Sequence, residues 1–285
     1  MEIIIGKNAG FCSGVAYTIK KANKLLENNK IYCLGEIIHN EQVVKKLESN
    51  GMKTVSDIEE IPNGEKVIFR AHGEPICTYK RAEEKKLKIE DLTCGRVKLI
   101  HKKVEEARKD SFIILVGNKN HPETIGTIGF AGKQSYVIES DDDILDAYIE
   151  YEKTYLGKVY VVSQTTFSSK KFDELANEIE KNFCEADVII DKTICDSTEI
   201  RQLEAKKLSQ ECNVIIVIGG KNSSNTKKLF EISKENCGRV YLIETIGDLK
   251  NIEFNSNDKI GILAGASTPI EIINDVKEYI ERIEI

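Results

Sequence analysis

Apolar residues recur along this chain in short, nearly unbroken runs, and each run is followed by a longer stretch in which they return every three or four positions. The runs at 2–5 (EIII), 31–34 (IYCL), 66–70 (KVIFR), 88–91 (KIED), 112–117 (FIILVG), 158–163 (KVYVVS), 187–191 (DVIID), 213–218 (NVIIVI), 239–243 (RVYLI) and 259–263 (KIGIL) have the length of strands buried on both faces. Segments 53–55 and 135–138 are weaker candidates. Amphipathic segments of helical length stand at 40–50, 76–86, 96–109, 122–133, 168–182, 197–211, 223–236 and 268–284. Strand and helix alternate throughout. That alternation predicts an α/β protein with parallel sheets and right-handed crossovers.

Aligned by element order, the chain repeats. One unit runs strand 31–34, helix 40–50, strand 53–55, an acidic loop, strand 66–70, helix 76–86, strand 88–91 and then Cys94. The next runs from strand 112–117 through the acidic S-D-D-D loop to strand 187–191 and then Cys195. The third runs from strand 213–218 through a loop with Glu244 and Asp248 to helix 268–284, and lacks its last strand and its cysteine. Strand 2–5 with Cys12 supplies both. The expected division is therefore 13–95, 96–196, and 1–12 with 197–285: three four-stranded units, the N-terminal strand completing the third.

The cysteines and the strand ends carry the chemistry. Cys12 (G-F-C-S-G), Cys94 (D-L-T-C-G) and Cys195 (T-I-C-D) each follow a strand and precede a helix-like stretch. Any one of them could be a small buried hydrophobe; at equivalent positions the three suggest thiolate ligands of a metal cluster with one position left open. Cys33, Cys77, Cys184, Cys212 and Cys237 read as buried or half-buried hydrophobes. In open α/β sheets ligands bind beyond the carboxyl ends of the strands. Those tips carry His39, His72, His121, Glu123, Thr165, Thr166, Ser223, Ser224, Asn225 and Ser267. A lone histidine after a strand is more often a loop residue than a ligand, but three at corresponding tips shift that balance. His101 lies in a helical pattern and reads as structural. The serines and Asn225 could be plain helix caps, yet capping and anion binding use the same free N–H groups. Glu123 could be a first-turn acid favoured by the helix dipole; it is also the one carboxylate among these tips, placed to donate a proton. The G-G-K-N-S-S-N run lacks the ending of a phosphate-binding P-loop, and S-D-D-D-I-L-D reads as a solvated helix start.

Composition narrows the classes. Across 285 residues the apolar fraction is 41% and the net charge is −6, so there is no bulk attraction for nucleic acid or an anionic membrane. The N-terminus lacks the form of a signal peptide, no apolar run approaches a membrane span, and a soluble cytoplasmic protein is expected. Eight cysteines with no C-x-x-C pair argue against zinc ribbons and thioredoxin-type motifs.

In this order and spacing, G-F-C-S-G-V, G-E-I-I-H-N, A-H-G, D-L-T-C, N-H-P-E-T-I-G-T, Q-T-T-F-S, T-I-C-D-S-T-E-I-R-Q, K-N-S-S-N-T and A-G-A-S-T-P closely resemble the 4-hydroxy-3-methylbut-2-enyl diphosphate reductases of the non-mevalonate isoprenoid pathway, nearly end to end. The resemblance implies a pseudo-threefold trefoil around a central cavity. It implies a [4Fe-4S] cluster on Cys12, Cys94 and Cys195 with an open iron. It implies that His39, His72, His121, Ser223, Ser224, Asn225 and Ser267 hold an allylic diphosphate, with Glu123 and Thr165 serving catalysis and a ferredoxin or flavodoxin supplying electrons. The chain departs from the usual pattern at Gly95, where the family has Pro, and at Leu92, where it has Ala. A local change in loop stiffness is expected there. Some members carry a fused RNA-binding-type extension; none is expected after Ile285. Two other classes share part of the pattern: an iron–sulfur dehydratase that uses no net electrons, and a non-enzymatic redox or iron sensor with a phosphate pocket.

Overall fold

The structure, a computed structural model, describes residues 1–27 and 30–283. The chain opens with β1 (Glu2–Ile5) and α1 (Ser13–Leu26), followed by β2 (Ile31–Leu34), α2 (Glu41–Ser49), β3 (Met52–Val55), β4 (Lys66–Phe69), α3 (Ile76–Glu84) and β5 (Lys88–Asp91). Next come α4 (Gly95–Ala107), β6 (Phe112–Val116), α5 (Pro122–Ala131), β7 (Ser135–Ile138), α6 (Ile144–Glu152), β8 (Lys158–Ser163), α7 (Ser169–Asn182) and β9 (Asp187–Ile190). Then follow α8 (Asp196–Glu211), β10 (Val214–Ile218), α9 (Ser224–Asn236), β11 (Val240–Ile243), β12 (Lys259–Ala264) and α10 (Ile270–Glu281). The segment expected over 268–284 begins two residues late because Pro269 caps it; position 284 lies outside the described residues.

These strands form three four-stranded sheets of one topology: β3-β2-β4-β5, β7-β6-β8-β9 and β11-β10-β12-β1. Every pairing is parallel. The α/β class and its parallel sheets are thus as expected. The N-terminal strand lies beside β12 (Glu2 opposite Lys259), the place β5 holds beside β4 and β9 beside β8. The acidic loops after the edge strands are a second repeated feature. Each is a short 3-10 turn closed by a capping box: Asp57 with Glu60, Ser140 with Asp143, and Thr245 with Asp248. The S-D-D-D-I-L-D run is thereby a helix start, leading into α6.

The chain falls into two compact units. One comprises Met1–Tyr17, Ile38–Lys46 and Asp196–Ile285, and contains the sheet with β1. The other comprises Thr18–Ile37 and Leu47–Cys195, and contains the other two sheets. The inner strands β6 and β10 are buried along their whole length, which is why they read as unbroken apolar runs. Helices add one apolar face. In α7, Phe172, Leu175, Ala176 and Ile179 share a face that packs with Phe112, Ile114 and Val161, and Ser168 caps the helix by accepting the Lys171 N–H at 3.3 Å. Burying each of the larger side chains stabilises by about 1.5–3 kcal/mol.

Candidate active site

The three expected cysteine ligands occupy one structural position. In each sheet the cysteine N–H donates to the carbonyl two residues past the end of the inner strand: Cys94 to Ala71 at 3.0 Å after β4, Cys195 to Thr165 at 3.0 Å after β8, and Cys12 to Ala266 at 3.2 Å after β12. Each is followed directly by a helix, α4, α8 or α1. Val15 N–H donates to Cys12 Sγ at 3.5 Å, the geometry of an N-cap. All three are half-buried and none is in a disulfide. Helix N-termini favour anionic ligand atoms, and half-buried sulfurs there are the soft donors that iron–sulfur centres use. The remaining cysteines require a correction. Cys33 and Cys212 are buried and Cys237 is half-buried, as expected, but Cys77 and Cys184 are exposed. Cys77 sits on the outer face of α3, and Cys184 lies beyond the end of α7 in a turn, not in a helix.

In the unit containing β1, the tips of β10 and β12 are lined by short polar side chains. Ser223 caps α9, accepting the Thr226 N–H at 3.3 Å, and Ser224 opens the helix half-buried. Asn225 follows at 3% exposure, and neither its amide nitrogen nor its oxygen has a hydrogen-bond partner. A buried amide left unpaired is destabilising by about 1–3 kcal/mol, and this one is able to take a polar partner. Ser267, also buried, donates to the His39 carbonyl at 3.1 Å. The same carbonyl lies against Gly220, where a Cβ would sit 2.5 Å from it. Only glycine permits that approach, and it seats the His39 loop on the β10 tip.

In the other unit the tips hold His72, His121 and the acid. His121 caps α5 with Pro122 at the first helical position; its Nδ1 accepts the Glu123 N–H at 3.1 Å. An accepting Nδ1 puts the ring proton of the neutral imidazole on Nε2, where it can donate. The His72 ring meets His121 edge to face with centroids 5.4 Å apart. Glu123, 3% exposed, is held by Thr165 through both oxygens: the N–H donates to Oε1 at 2.6 Å and the hydroxyl to Oε2 at 2.6 Å. Burial outweighs those bonds and pushes the Glu123 pKa up to about 7, so the group keeps or releases a proton near neutrality. Since Thr165 also accepts the Cys195 N–H, the acid and a cysteine share one anchor.

His101, expected to be structural, is buried in α4 and stacked on Phe130 at 4.3 Å. It lies under the left-handed Gly73 (φ 79°), where a Cβ would meet its Cε1 at 2.6 Å. Sequence reasoning passed over Arg201 and Glu204 on α8, which bind the loop before Cys12. The sequence alone did not mark them: α8 buries Thr198, Arg201, Gln202 and Ser209 beside Ala205 and Leu208, and that polar inner face shows only in the structure.

Three like-built sheets, with a cysteine past one inner strand of each and a buried acid and an unpartnered buried amide at strand ends, define an α/β protein that gathers its candidate chemistry at the ends of its strands. The chain belongs to the LytB protein family, matching it over residues 3–281. The 4-hydroxy-3-methylbut-2-enyl diphosphate reductase of Clostridioides difficile (strain 630) is 40% identical over 286 residues, covering 99% of this chain and 100% of that one. The enzyme of the same name from Aquifex aeolicus (strain VF5) is 42% identical over 289 residues, covering 99% and 97%. Among solved structures, the E-1-hydroxy-2-methyl-but-2-enyl-4-diphosphate reductase of Plasmodium falciparum matches with a TM-score of 0.85 at 30% identity, covering 97% of this chain and 87% of that one. A second, described as (E)-4-hydroxy-3-methyl-but-2-enyl diphosphate reductase, the terminal enzyme of the non-mevalonate pathway, matches with a TM-score of 0.71 at 41% identity over 99% of both chains. No helix among the described residues is long and apolar enough to cross a membrane.

Proposed function

We propose that this chain reduces (E)-4-hydroxy-3-methylbut-2-enyl diphosphate to isopentenyl and dimethylallyl diphosphate, using a [4Fe-4S] cluster held by Cys12, Cys94 and Cys195. The observation that carries the reading is the equivalence of those cysteines, one past each inner strand and each opening a helix, in a chain about 40% identical to reductases over its full length. Each sheet with its cysteine is taken as one repeat of the design: 13–95, 96–196, and 1–12 with 197–285. The enzyme works in the cytoplasm on a small allylic diphosphate, with a ferredoxin or flavodoxin as electron donor and no nucleic acid or membrane partner.

The reaction balances as two electrons and two protons. The carbon–oxygen bond takes up the electron pair and breaks, one proton leaves with the oxygen as water, and the other adds to either end of the allylic fragment. When bound, the cluster supplies electrons and a Lewis-acidic iron with an open position. The rest is done by side chains. Asn225 gives its unpartnered amide to the diphosphate, beside Ser223 and Ser224 at the α9 N-terminus. Ser267 turns its hydroxyl from the His39 carbonyl to a phosphate oxygen. His39, His72 and His121 complete the clamp, with His121 donating from Nε2. This remote binding energy orients the bond that breaks. Glu123 holds a proton at a pKa of about 7 and passes it through the Thr165 hydroxyl, which stands 2.6 Å from Oε2.

Oxygen-free purification with visible and electron spin resonance spectra tests this directly, with and without the hydroxylated diphosphate. The expected result is an iron–sulfur spectrum that changes on adding substrate, and reductant-dependent turnover. Cys94→Ser should lose iron. Colourless, iron-poor wild-type protein after reconstitution, or full iron and absorbance in Cys94→Ser, would overturn the assignment. Turnover without reductant would indicate a dehydration instead.

A further inference from the structure

We propose that Arg201 and Glu204 of α8 are positioning residues for Cys12, setting the loop that presents its sulfur. This rests on the reading of Cys12 as a cluster ligand. Between β1 and Cys12 the chain runs through Gly6 and Gly10, the latter in the left-handed region (φ 102°), so the loop has little stiffness of its own. Its internal anchors are sparse: Gly6 N–H donates to Ile262 at 2.8 Å, and Ala9 N–H closes a turn on Gly6 at 3.1 Å. Two charged side chains three residues apart on α8 supply the rest. Glu204 uses both oxygens, accepting the Lys7 N–H at 2.6 Å and the Asn8 N–H at 3.1 Å. Arg201 donates from Nη2 to the Gly10 carbonyl at 2.8 Å and from Nη1 to the Ser197 carbonyl at 2.8 Å.

Arg201 is 6% exposed, and burying a guanidinium to hold backbone carbonyls is a costly way to fix a loop. Its rigid fork, though, ties two backbone points in a set direction, which apolar contacts and a flexible lysine do not. Gly6 adds a steric limit, because a Cβ there would stand 3.0 Å from Glu204 Oε2. The loop is thus gripped at 7, 8 and 10, and the Cys12 N–H is pinned to Ala266 at 3.2 Å on the other side. The sulfur itself then accepts the Val15 N–H at 3.5 Å.

The test compares Arg201→Met, Glu204→Ala and the conservative Glu204→Gln with Val276→Ala, a fully buried core truncation in the same unit. Two rates are read: loss of the reconstituted cluster to an iron chelator without oxygen, and alkylation of Cys12 by iodoacetamide in the cluster-free protein, followed by mass spectrometry. Arg201→Met and Glu204→Ala should lose the cluster roughly tenfold or more faster, the loss typical when partners of metal ligands are removed. They should also alkylate faster at Cys12. Glu204→Gln should fall between. Rates no greater than those of Val276→Ala would overturn the proposal, since general destabilisation would then account for them. If the wild type takes up no cluster, the ligand reading fails, and the alkylation rates alone still decide whether the clamp exists.

Discussion

Glu123 and Asn225 occupy the same place in two different sheets. Each is the second residue of the helix that follows the first inner strand, α5 after β6 and α9 after β10. Both are buried to 3% exposure. Their hydrogen bonding is opposite. Thr165 satisfies both oxygens of Glu123, while neither polar atom of Asn225 has a partner. One topological position holds a buried acid whose oxygens are both paired and whose pKa is raised, and a buried amide with neither polar atom paired, which the proposed function reads as a proton carrier and a diphosphate ligand. The repeat supplies the location; desolvation and pairing decide the task.

Breaking the acid side of the comparison should have the largest effect. Glu123→Gln keeps the volume and can still meet Thr165, but has no proton to give. Turnover should fall by about 10²–10⁴-fold, the usual worth of a positioned acid, with iron content and product affinity retained. Near-normal turnover would remove Glu123 from proton transfer.

The same substitution should change how stability depends on pH. Burial raises the Glu123 pKa from 4.5 to about 7, so between those values the folded chain holds a proton that the unfolded chain releases. Stability from this group therefore falls as pH rises through the window, and the penalty is complete above it. Relative to wild type, Glu123→Gln should gain up to about 3 kcal/mol between pH 4 and pH 8 in denaturant titrations. His101 works the other way. Burial lowers its pKa from 6.5 to about 4, so stability is lost as pH falls through that range. The two slopes oppose each other in the wild type between about pH 4.5 and 6.5, and His101→Gln should expose the Glu123 slope. A wild-type curve unchanged by either substitution would remove both groups from the pH response.

On the incomplete side, Asn225→Leu replaces an unpartnered amide with an apolar group of similar shape. The ligand-free protein should become more stable by about 1–3 kcal/mol, while affinity for a diphosphate falls roughly 10–100-fold. A loss of stability together with unchanged affinity would show that Asn225 already has its partner.

Much of this was legible in the sequence because parallel strands buried on both faces leave unbroken apolar runs, as in 112–117 and 213–218. The place of β1 followed from counting elements, since the third unit lacked a strand and a cysteine. Side-chain phase was less legible. Cys77 lies one residue into α3, where a small shift in the helix start decides which way it points, and Cys184 falls just past the cap of α7. Nor could the sequence show that Thr165 reaches across 42 positions to Glu123, or that Glu204 reaches nearly 200 back to Lys7. Such bonds depend on how neighbouring strand ends and helices align, and no local propensity encodes that.

Gly95 sharpens the comparison by acting elsewhere. It is the first residue of α4, next to the cysteine of the first sheet, and nothing lies within 4 Å of where its Cβ would be. Its φ is not left-handed, so glycine is not required. Cys94, at φ −56° and ψ 137°, already has the extended backbone that a residue before proline must adopt. The first N–H of a helix has no intrahelical acceptor, so proline forfeits little there. Gly95→Pro should therefore raise stability by about 0.4–1 kcal/mol by restricting the unfolded chain, with Gly95→Ala giving a smaller gain. Differential scanning calorimetry should show a rise of about 1–4 °C. The pH slope expected from Glu123, the diphosphate affinity proposed to depend on Asn225 and the iron content should stay as they were. A fall in stability would mean that the Gly95 N–H is engaged and that glycine at this position is a requirement of the loop; altered diphosphate affinity would mean that Gly95 bears on the part of the proposed clamp that His72 supplies.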